Sequence, residues 1–338
     1  MNKCSVQRLS LHREDVRDIR ALVAAAQQHF DSTESQEFLD EVALYAHELP
    51  YRIRKWLHDF KLGLLSSSVC AISGFPIDDA KIGATPKHWK NQSDRHSTLQ
   101  ERMLHFMCAS LLGEVFGWGT QQDGRITHDV FPIREYEDEQ LGFSSKQSLS
   151  WHTEDAFHDY RPDFVVLMCL RNPDNIGTHY GVPNYSSLTE EQISYLFGSH
   201  YTIKPDNSHL AINNSPRADV SFETIERIKA APPKQSVLFG ARKAPCIRID
   251  PFFMEPAEDP KAQEALEGLI GSIDQNYVEC PLSPGDVLCI DNLRVVHGRK
   301  SFRARYDGTD RWLKRLLVAR DLRKSRDRRA ADNSRVII

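Results

Sequence analysis

A histidine and a glutamate stand two residues apart in the segment SLSWHTEDAF, residues 148–157, as His152 and Glu154. With 14 histidines and 47 acidic residues in 338 positions, chance predicts about two such spacings, and the chain has three. The other two fall in predicted helices, where residues i and i+2 do not face each other. In a strand such residues point to the same face, so His152 and Glu154 are suited to hold one metal ion.

A third ligand is offered by His297, which ends a strand-like run in the segment DNLRVVHGR. Two histidines and one carboxylate form the facial triad of non-haem Fe(II) oxygenases, which leaves coordination positions open. A structural zinc site is closed instead, usually by thiolates, and no cysteine pair lies near these residues in sequence. Alone, His297 is better explained as a buried structural histidine, so the metal hypothesis needs support from other residues of the chain.

Two arginines, Arg311 and Arg315, occur in the segment DRWLKRLLVAR and fall on one face of a predicted strand. Guanidinium groups that point inward among apolar neighbours are costly unless each meets an anion, and their fork fits a carboxylate. Four strand residues span roughly 13 Å, so the pair can serve two different carboxylates, or one carboxylate and a structural partner. The alternative is a solvated face shared with Lys314 and Arg320.

The composition excludes several classes of protein. The net charge of −4 gives no overall basic field for nucleic acid or an anionic membrane. The N-terminus lacks an apolar signal core, and no stretch approaches the roughly 18 apolar residues of a membrane span. The seven cysteines are widely spaced with no C-x-x-C, which predicts reduced thiols and a cytoplasmic protein.

The predicted elements divide the chain into a helical first part and a strand-rich second part, within a single domain over 1–338. Residues 1–120 are predicted to be mainly helical, with Thr33 capping the second helix and another helix covering 101–117. Residues 121–322 carry short strands separated by turns, which favours a jelly roll dressed with helices. Residues 323–338 are expected to be a frayed, solvated basic tail.

Two long strings, WHTEDAFHDYRPDFVVLMCLRNPD and VVHGRKSFRARYDGTDRWLKR, resemble the clavaminate synthase-like Fe(II)/2-oxoglutarate oxygenases. The similarity runs over residues 117–322 and is greatest to bacterial hydroxylases of free arginine and lysine. It implies a mainly β fold with flanking helices, built on a double-stranded β-helix (jelly-roll) core. It also implies Fe(II), 2-oxoglutarate and O2 as cofactors, with the iron ligands His152, Glu154 and His297. Arg311 and Thr178 would bind 2-oxoglutarate.

The same resemblance implies a substrate site for a free basic amino acid. Arg315 would hold the α-carboxylate, and Gln121 (or Gln122), together with Glu154, would contact the α-amino group. A mobile lid is expected over about 205–230. The residues expected to face the side chain are Asp206, Ser208 and Asp250. Pro251 and Phe252 follow Asp250 where arginine-specific relatives offer a second acid, and a single carboxylate favours the compact ammonium of lysine over the guanidinium of arginine.

The expected activity is hydroxylation of free L-lysine or L-arginine at the β or γ carbon, with release of succinate and CO2. Glu154 argues against a halogenase, which lacks the carboxylate ligand. The open alternatives are an oxygenase of a carrier-bound or peptide substrate and a non-oxygenase metal-binding jelly roll, including a zinc hydrolase. The expected partner is a small-molecule amino acid, with no nucleic acid and no membrane.

Overall fold

The structure is a computed structural model, and it describes residues 6–91, 97–215 and 220–338. The helices of these residues are α1 (Arg13–Gln27), α2 (Gln36–Ala46), α3 (Tyr51–Lys61), α4 (Asp79–Ile82), α5 (Leu99–Ser110), α6 (Glu190–Phe197), α7 (Val220–Ala230) and α8 (Pro260–Asp274). No helix in these ranges combines the length and the apolar character that crossing a membrane requires. The strands are β1 (Gln7–Ser10), β2 (Val69–Ser73), β3 (Glu114–Trp118), β4 (His128–Val130), β5 (Leu149–His152), β6 (Phe164–Arg171), β7 (Gly177–Gly181), β8 (Tyr201–Thr202), β9 (Lys234–Gln235), β10 (Leu238–Ala241), β11 (Ala244–Ile247), β12 (Tyr277–Pro281), β13 (Val287–Asp291), β14 (Val296–Arg299), β15 (Trp312–Ala319) and β16 (Val336–Ile337).

Two sheets form the core, and the residues that the structure describes place eight strands in the larger one. Its order is β1-β2-β13-β6-β15-β3-β16, and β4 pairs with residues 313–315 of β15, which β3 does not reach. The smaller sheet has the order β12-β7-β14-β5. Strands β6, β13 and β15 are buried almost throughout, as expected for strands covered on both faces. A cavity lined by both sheets lies between them, which is the predicted jelly-roll arrangement.

The N-terminal helices cover the outer face of the larger sheet. Their apolar residues, including Phe38, Leu57 and Phe106, form one buried cluster with Val166 and Leu316 of the sheet. Helix α5 packs directly on β15, β6 and β3. The helices therefore support the strands that carry the predicted site.

Two local predictions in this region are wrong. Ser35, not Thr33, caps α2, since its hydroxyl accepts the backbone N–H of Phe38 at 3.3 Å. The helix predicted over 101–117 ends at Ser110, and 114–118 form strand β3 instead. A side chain at Gly113 would lie 2.3 Å from the carbonyl oxygen of Ala319, so this glycine allows β3 to approach β15.

The C-terminal segment is docked, so the prediction of a frayed tail is also wrong. Strand β16 pairs in parallel with β3, and Ile337 is buried. The backbone N–H groups of Gly117 and Gly119 donate to the carbonyls of Arg335 and Ile337 at 2.9 and 2.8 Å. The end of the chain therefore supports the strand that leads into the segment containing Gln121.

Candidate active site

The three predicted metal ligands meet at the cavity between the sheets. His152 ends β5, and His297 lies opposite it on β14 with the two rings 4.2 Å apart. One ligand atom from each of His152, Glu154 and His297 lies within 4.8 Å of the others. The Nδ1–H of His152 donates to the carbonyl of Ser150 at 2.8 Å, which leaves the Nε2 lone pair available. The donor set is therefore the one that the sequence predicted.

The backbone at Glu154 is fixed by a buried side chain that sequence reasoning missed. Asn292 accepts the N–H of Glu154 at 2.8 Å and donates to its carbonyl at 3.2 Å. Asn292 also donates to the carbonyl of Pro162 at 2.8 Å. Asp155 follows with a φ of 51°, so the chain turns sharply directly after the ligand. These contacts hold the carboxylate in place after β5 has ended.

The electrostatics of the triad suit a divalent cation. Burial favours the neutral form of Glu154, but Arg315 and His297 outweigh burial and hold the pKa of Glu154 well below its usual range. Burial and the neighbouring His297 lower the pKa of His152. An ionised carboxylate beside a neutral imidazole is the protonation state in which these groups bind a metal. The residues present therefore fit an Fe(II) ion.

Arg311 and Thr178, the two residues predicted to hold 2-oxoglutarate, contact each other across the cavity. A guanidinium Nη2 of Arg311 donates to the hydroxyl of Thr178 at 3.1 Å. Arg311 is 7% exposed, its Nε–H has no partner, and burial lowers its pKa to about 10. Among the described residues it makes no ion pair with a carboxylate, so a buried cation faces the cavity without a counter-ion.

Arg315 faces the same cavity from four residues further along the strand. It pairs with Glu154 and donates to Gln121 Oε1 at 3.3 Å, while its Nε–H is buried without a partner. Of the two glutamines left open by the sequence, Gln121 makes this contact. The amide of Gln122 lines the cavity but is bound to the backbone of Asp129.

The opposite face of this strand is not solvated. Lys314 is 2% exposed and pairs with Asp129 at 2.5 Å. Asp129 also accepts the indole N–H of Trp312 at 2.6 Å. The alternative that placed Lys314 on a solvated face is therefore wrong for this residue, although Arg320 is exposed.

The predicted side-chain contacts lie at another wall of the cavity. Burial raises the pKa of Asp250 to about 7; His152 opposes that shift, and the nearby charge of Asp206 adds to it. Ser208 donates to Asp206 at 2.5 Å and accepts from the amide of Gln121 at 2.7 Å. Asp206, Ser208 and Asp250 all line the cavity, so two acids rather than one stand at this end.

A buried network that no sequence pattern indicates connects the predicted lid to the site. His209 is fully buried, and its ring contacts Asp155 at 3.0 Å and Thr120 at 2.7 Å. Burial lowers the pKa of His209, but the hydrogen bond and charge of Asp155 raise it above its usual value. The indole of Trp118 donates to the other oxygen of Asp155 at 2.7 Å. Only tertiary contacts reveal these partners, since 54 residues separate His209 from Asp155.

Comparison with known proteins places the chain in a family. Residues 194–317 match the model described as Taurine catabolism dioxygenase TauD, TfdA family. The chain is 42% identical to the enduracididine beta-hydroxylase of Streptomyces hygroscopicus, over 97% of this chain and 99% of that protein. It is 40% identical to the L-ornithine/L-arginine 3-hydroxylase of Catenulispora acidiphila, over 98% of this chain and 100% of that protein.

The structural comparison agrees. The non-heme iron oxygenase OrfP, solved with Fe, succinate and (3S)-hydroxy-L-Arg, superposes with a TM-score of 0.95 at 41% identity. The match covers 98% of this chain and 100% of the OrfP chain. The chain belongs to the TauD/TfdA family of dioxygenases. The resemblance recognised from the motifs and the fold expected from it are thereby confirmed.

Proposed function

We propose that this protein is an Fe(II)- and 2-oxoglutarate-dependent hydroxylase of a free basic L-amino acid, and that arginine is preferred. Relatives at about 40% identity are named as an enduracididine beta-hydroxylase and an L-ornithine/L-arginine 3-hydroxylase. The observation that carries the proposal is Arg311, a buried cation to which the described residues offer no counter-ion, beside the His152, Glu154 and His297 cluster. A metal-binding protein without oxygenase activity has no use for that cation.

His152, Glu154 and His297 would hold the iron, which when bound supplies O2 activation coupled to conversion of 2-oxoglutarate to succinate and CO2. Asn292 and the carbonyl of Ser150 orient two of these ligands before the metal arrives. Arg311 and Thr178 would hold the distal carboxylate of the cosubstrate, because the free Nε–H of Arg311 needs an anion.

The substrate would lie between Arg315 and the pair Asp206 and Asp250. Arg315 keeps an unpartnered Nε–H for the α-carboxylate. Gln121 and Glu154, which both contact Arg315, would receive the α-amino group. Binding energy from the two ends of the substrate would fix which methylene faces the metal.

Arginine, rather than lysine, is the better fit to this cavity. The preference for lysine rested on Asp250 as a single acid, but Asp206 provides a second one from the lid. Two carboxylates suit a planar guanidinium with several N–H donors. The two relatives named above are hydroxylases at the beta or 3 position, which supports attack at the β carbon rather than the γ carbon.

The predicted lid, about 205–230, would exclude water from the cavity during the reaction. Asp206 and Ser208, at the start of the lid, line the cavity, so a bound substrate would also contact the lid.

The cysteines that the structure describes carry no disulfide, which supports a cytoplasmic location.

The decisive experiment is succinate release by the purified protein with Fe(II), 2-oxoglutarate and each of the twenty amino acids in turn. Arginine should stimulate release most strongly, lysine less, and neutral amino acids little. Mass spectrometry should place one added oxygen on the substrate, and NMR should place it on the β carbon. If no free amino acid stimulates release, a carrier-bound or peptide substrate becomes the better interpretation.

A further inference from the structure

A buried histidine stands behind the arginine that faces the cavity. His128 lies on β4 directly opposite Arg315 on β15, and it is 1% exposed. Its Nδ1 lies 2.6 Å from a guanidinium Nη2 of Arg315, and its Nε2 lies 2.9 Å from the carbonyl oxygen of Arg125. The ring is therefore fixed at both of its nitrogen atoms.

These two contacts determine which nitrogen carries the proton. A carbonyl oxygen only accepts, so Nε2 must carry the hydrogen that it donates to Arg125. A guanidinium only donates, so Nδ1 must present a lone pair to Arg315. The neutral Nε2–H tautomer satisfies both contacts, whereas the imidazolium would place an N–H against an N–H. Burial and the charge of Arg315 lower the pKa of His128 far below its usual value, which agrees with the neutral form.

The hydrogen bonds of Arg315 show how the Nδ1 lone pair of His128 acts on the guanidinium. Nη2 donates to both His128 and Gln121, and Nη1 donates to Glu154. The guanidinium is thereby held in one orientation, and its Nε–H remains buried without a partner. An acidic residue in place of His128 would hold the guanidinium equally well, but it would add a second negative charge beside Glu154 and so weaken the attraction of Arg315 for an anion. A neutral acceptor fixes the orientation without adding that charge.

We propose that His128 is a positioning residue that holds Arg315 ready for the α-carboxylate and so makes the site selective for a free amino acid over one with a blocked carboxyl group. This inference rests on the proposed function, since it takes Arg315 as the carboxylate-binding residue. It adds a residue outside the substrate contacts that determines the class of substrate accepted. It also explains why a buried histidine lies on the strand next to β15.

Two variants test separately the two hydrogen bonds that the His128 ring makes. In His128→Asn, the amide oxygen replaces Nδ1 and keeps an acceptor for Arg315, while the contact to Arg125 is lost. In His128→Gln, the longer amide reaches the carbonyl of Arg125, while Arg315 loses its acceptor. Dissociation constants of L-arginine and L-argininamide are measured by calorimetry without oxygen, on protein loaded with Fe(II) and 2-oxoglutarate.

The wild type should bind L-arginine at least about tenfold more tightly than the amide, as expected for one charge-assisted hydrogen-bond pair. His128→Gln should lose most of this preference by weakening the acid alone, and His128→Asn should keep it within about threefold. Both variants should keep the wild-type KM for 2-oxoglutarate, because Arg311 is untouched.

If His128→Gln keeps the preference for L-arginine over L-argininamide, the inference is wrong. If both variants lose this preference equally, His128 has a packing role and the inference is also wrong. A raised KM for 2-oxoglutarate would likewise overturn the inference, because the change would then not be confined to Arg315. A wild type that binds neither ligand overturns the proposed function itself, and the inference with it.

Discussion

At the scale of single residues, the cavity is lined by charged groups that still have unused hydrogen-bonding atoms. Among the described residues, Arg311 and Arg315 each keep a buried Nε–H without an acceptor, and Asp206 and Asp250 make no ion pair with a lysine or an arginine. A site so arranged fits one ligand with two carboxylates and another with a carboxylate at one end and a cation at the other. The charge pattern thus describes 2-oxoglutarate and a basic amino acid together.

Asp250 should act on the charge of the substrate side chain. Replacement of Asp250 by Asn should raise the KM for L-arginine about tenfold or more, because a buried charge-assisted hydrogen bond is lost. L-Citrulline has a neutral urea of nearly the same shape, so its KM should change less than about threefold. The exposed Glu264→Gln removes the same charge away from the cavity and serves as control. Equal losses for arginine and citrulline would remove Asp250 from the substrate site.

Arg311 should act on the cosubstrate alone. Replacement of Arg311 by Met should raise the KM for 2-oxoglutarate about a hundredfold, since truncating a buried charge pair costs about 2–5 kcal/mol. The matched control is Arg320→Met, an exposed arginine just beyond the end of the same strand. Steady-state kinetics at saturating arginine measures both variants. An unchanged KM in Arg311→Met would assign the distal carboxylate to another residue.

The site residues that could be predicted are those whose role is indicated by residue types at a short, regular spacing in the sequence. His152-x-Glu154 and the two arginines of one strand face belong to this group. The partners His128, Asn292 and His209 do not, because each acts through a contact with a residue far away in sequence. A single histidine such as His128 has no sequence pattern of its own, so only strand register reveals what it faces.

At the scale of elements, β15 joins the site to the helical layer. Arg315 on its inward face and Arg311 directly before its first residue line the cavity, and its outward face packs under α5. A period of two residues predicted the inward face correctly, but it cannot tell whether the other face meets solvent or a helix. That is why the sequence left open the alternative of a solvated face at Lys314, which instead is buried and paired with Asp129 inside the core.

Helix α5 makes folding sensitive to acid through His105. This residue is fully buried, donates from Nε2 to the carbonyl of Val166 at 3.1 Å, and has a pKa that burial lowers from 6.5 to about 3. Between these values the unfolded chain binds the proton and the folded chain does not. The free energy of unfolding therefore falls as pH is lowered, by up to about 1.4 kcal/mol per pH unit from this residue.

His105→Gln keeps an N–H donor but does not titrate, so it should lose less stability than the wild type between pH 6.5 and pH 5. The expected difference is about 1–2 kcal/mol. Urea unfolding of both proteins at the two pH values measures it. Parallel losses in the two proteins would show that His105 is not the group that binds the proton.

Strand β16 should contribute to stability although it ends the chain. Removing residues 335–338 leaves the N–H groups of Gly117 and Gly119 without acceptors and exposes the surface that Ile337 covers. The truncated protein should be less stable by about 2–4 kcal/mol. Ile337→Ala should show a large part of this loss. If truncation leaves the denaturant midpoint unchanged, the segment behaves as a frayed tail and does not contribute to stability.

At the scale of the whole molecule, the fold class followed from the sequence, but the closure of the cavity did not. Alternating strands and the two long motifs predicted a jelly roll with helices around it. How residues 206–215 dock was not predictable, because the docking uses backbone carbonyls and buried amides that no pattern reports. Asn214 shows this, since its amide donates to the carbonyls of Thr120, Ser208 and Leu210 at 2.7, 3.1 and 3.0 Å.

Asn214 therefore connects the beginning of the lid to the segment that carries Gln121. Asn214→Ala should leave the buried carbonyl of Thr120 without this donor and loosen the docked segment. Water would then enter the cavity more often during the reaction, and 2-oxoglutarate would be consumed without hydroxylation of the substrate. The ratio of succinate to hydroxylated arginine, about one in a coupled enzyme, should rise to about two or more.

The control is Asn213→Ala, which makes the same substitution one residue earlier. The amide of Asn213 donates to the carbonyl of Asn207 at 2.6 Å, so that bond stays within the lid and does not cross to the neighbouring segment. This variant should stay near a ratio of one, and the two variants should have similar unfolding midpoints. If both variants remain coupled, docking of residues 206–215 does not protect the reaction, and water must be excluded by the substrate itself.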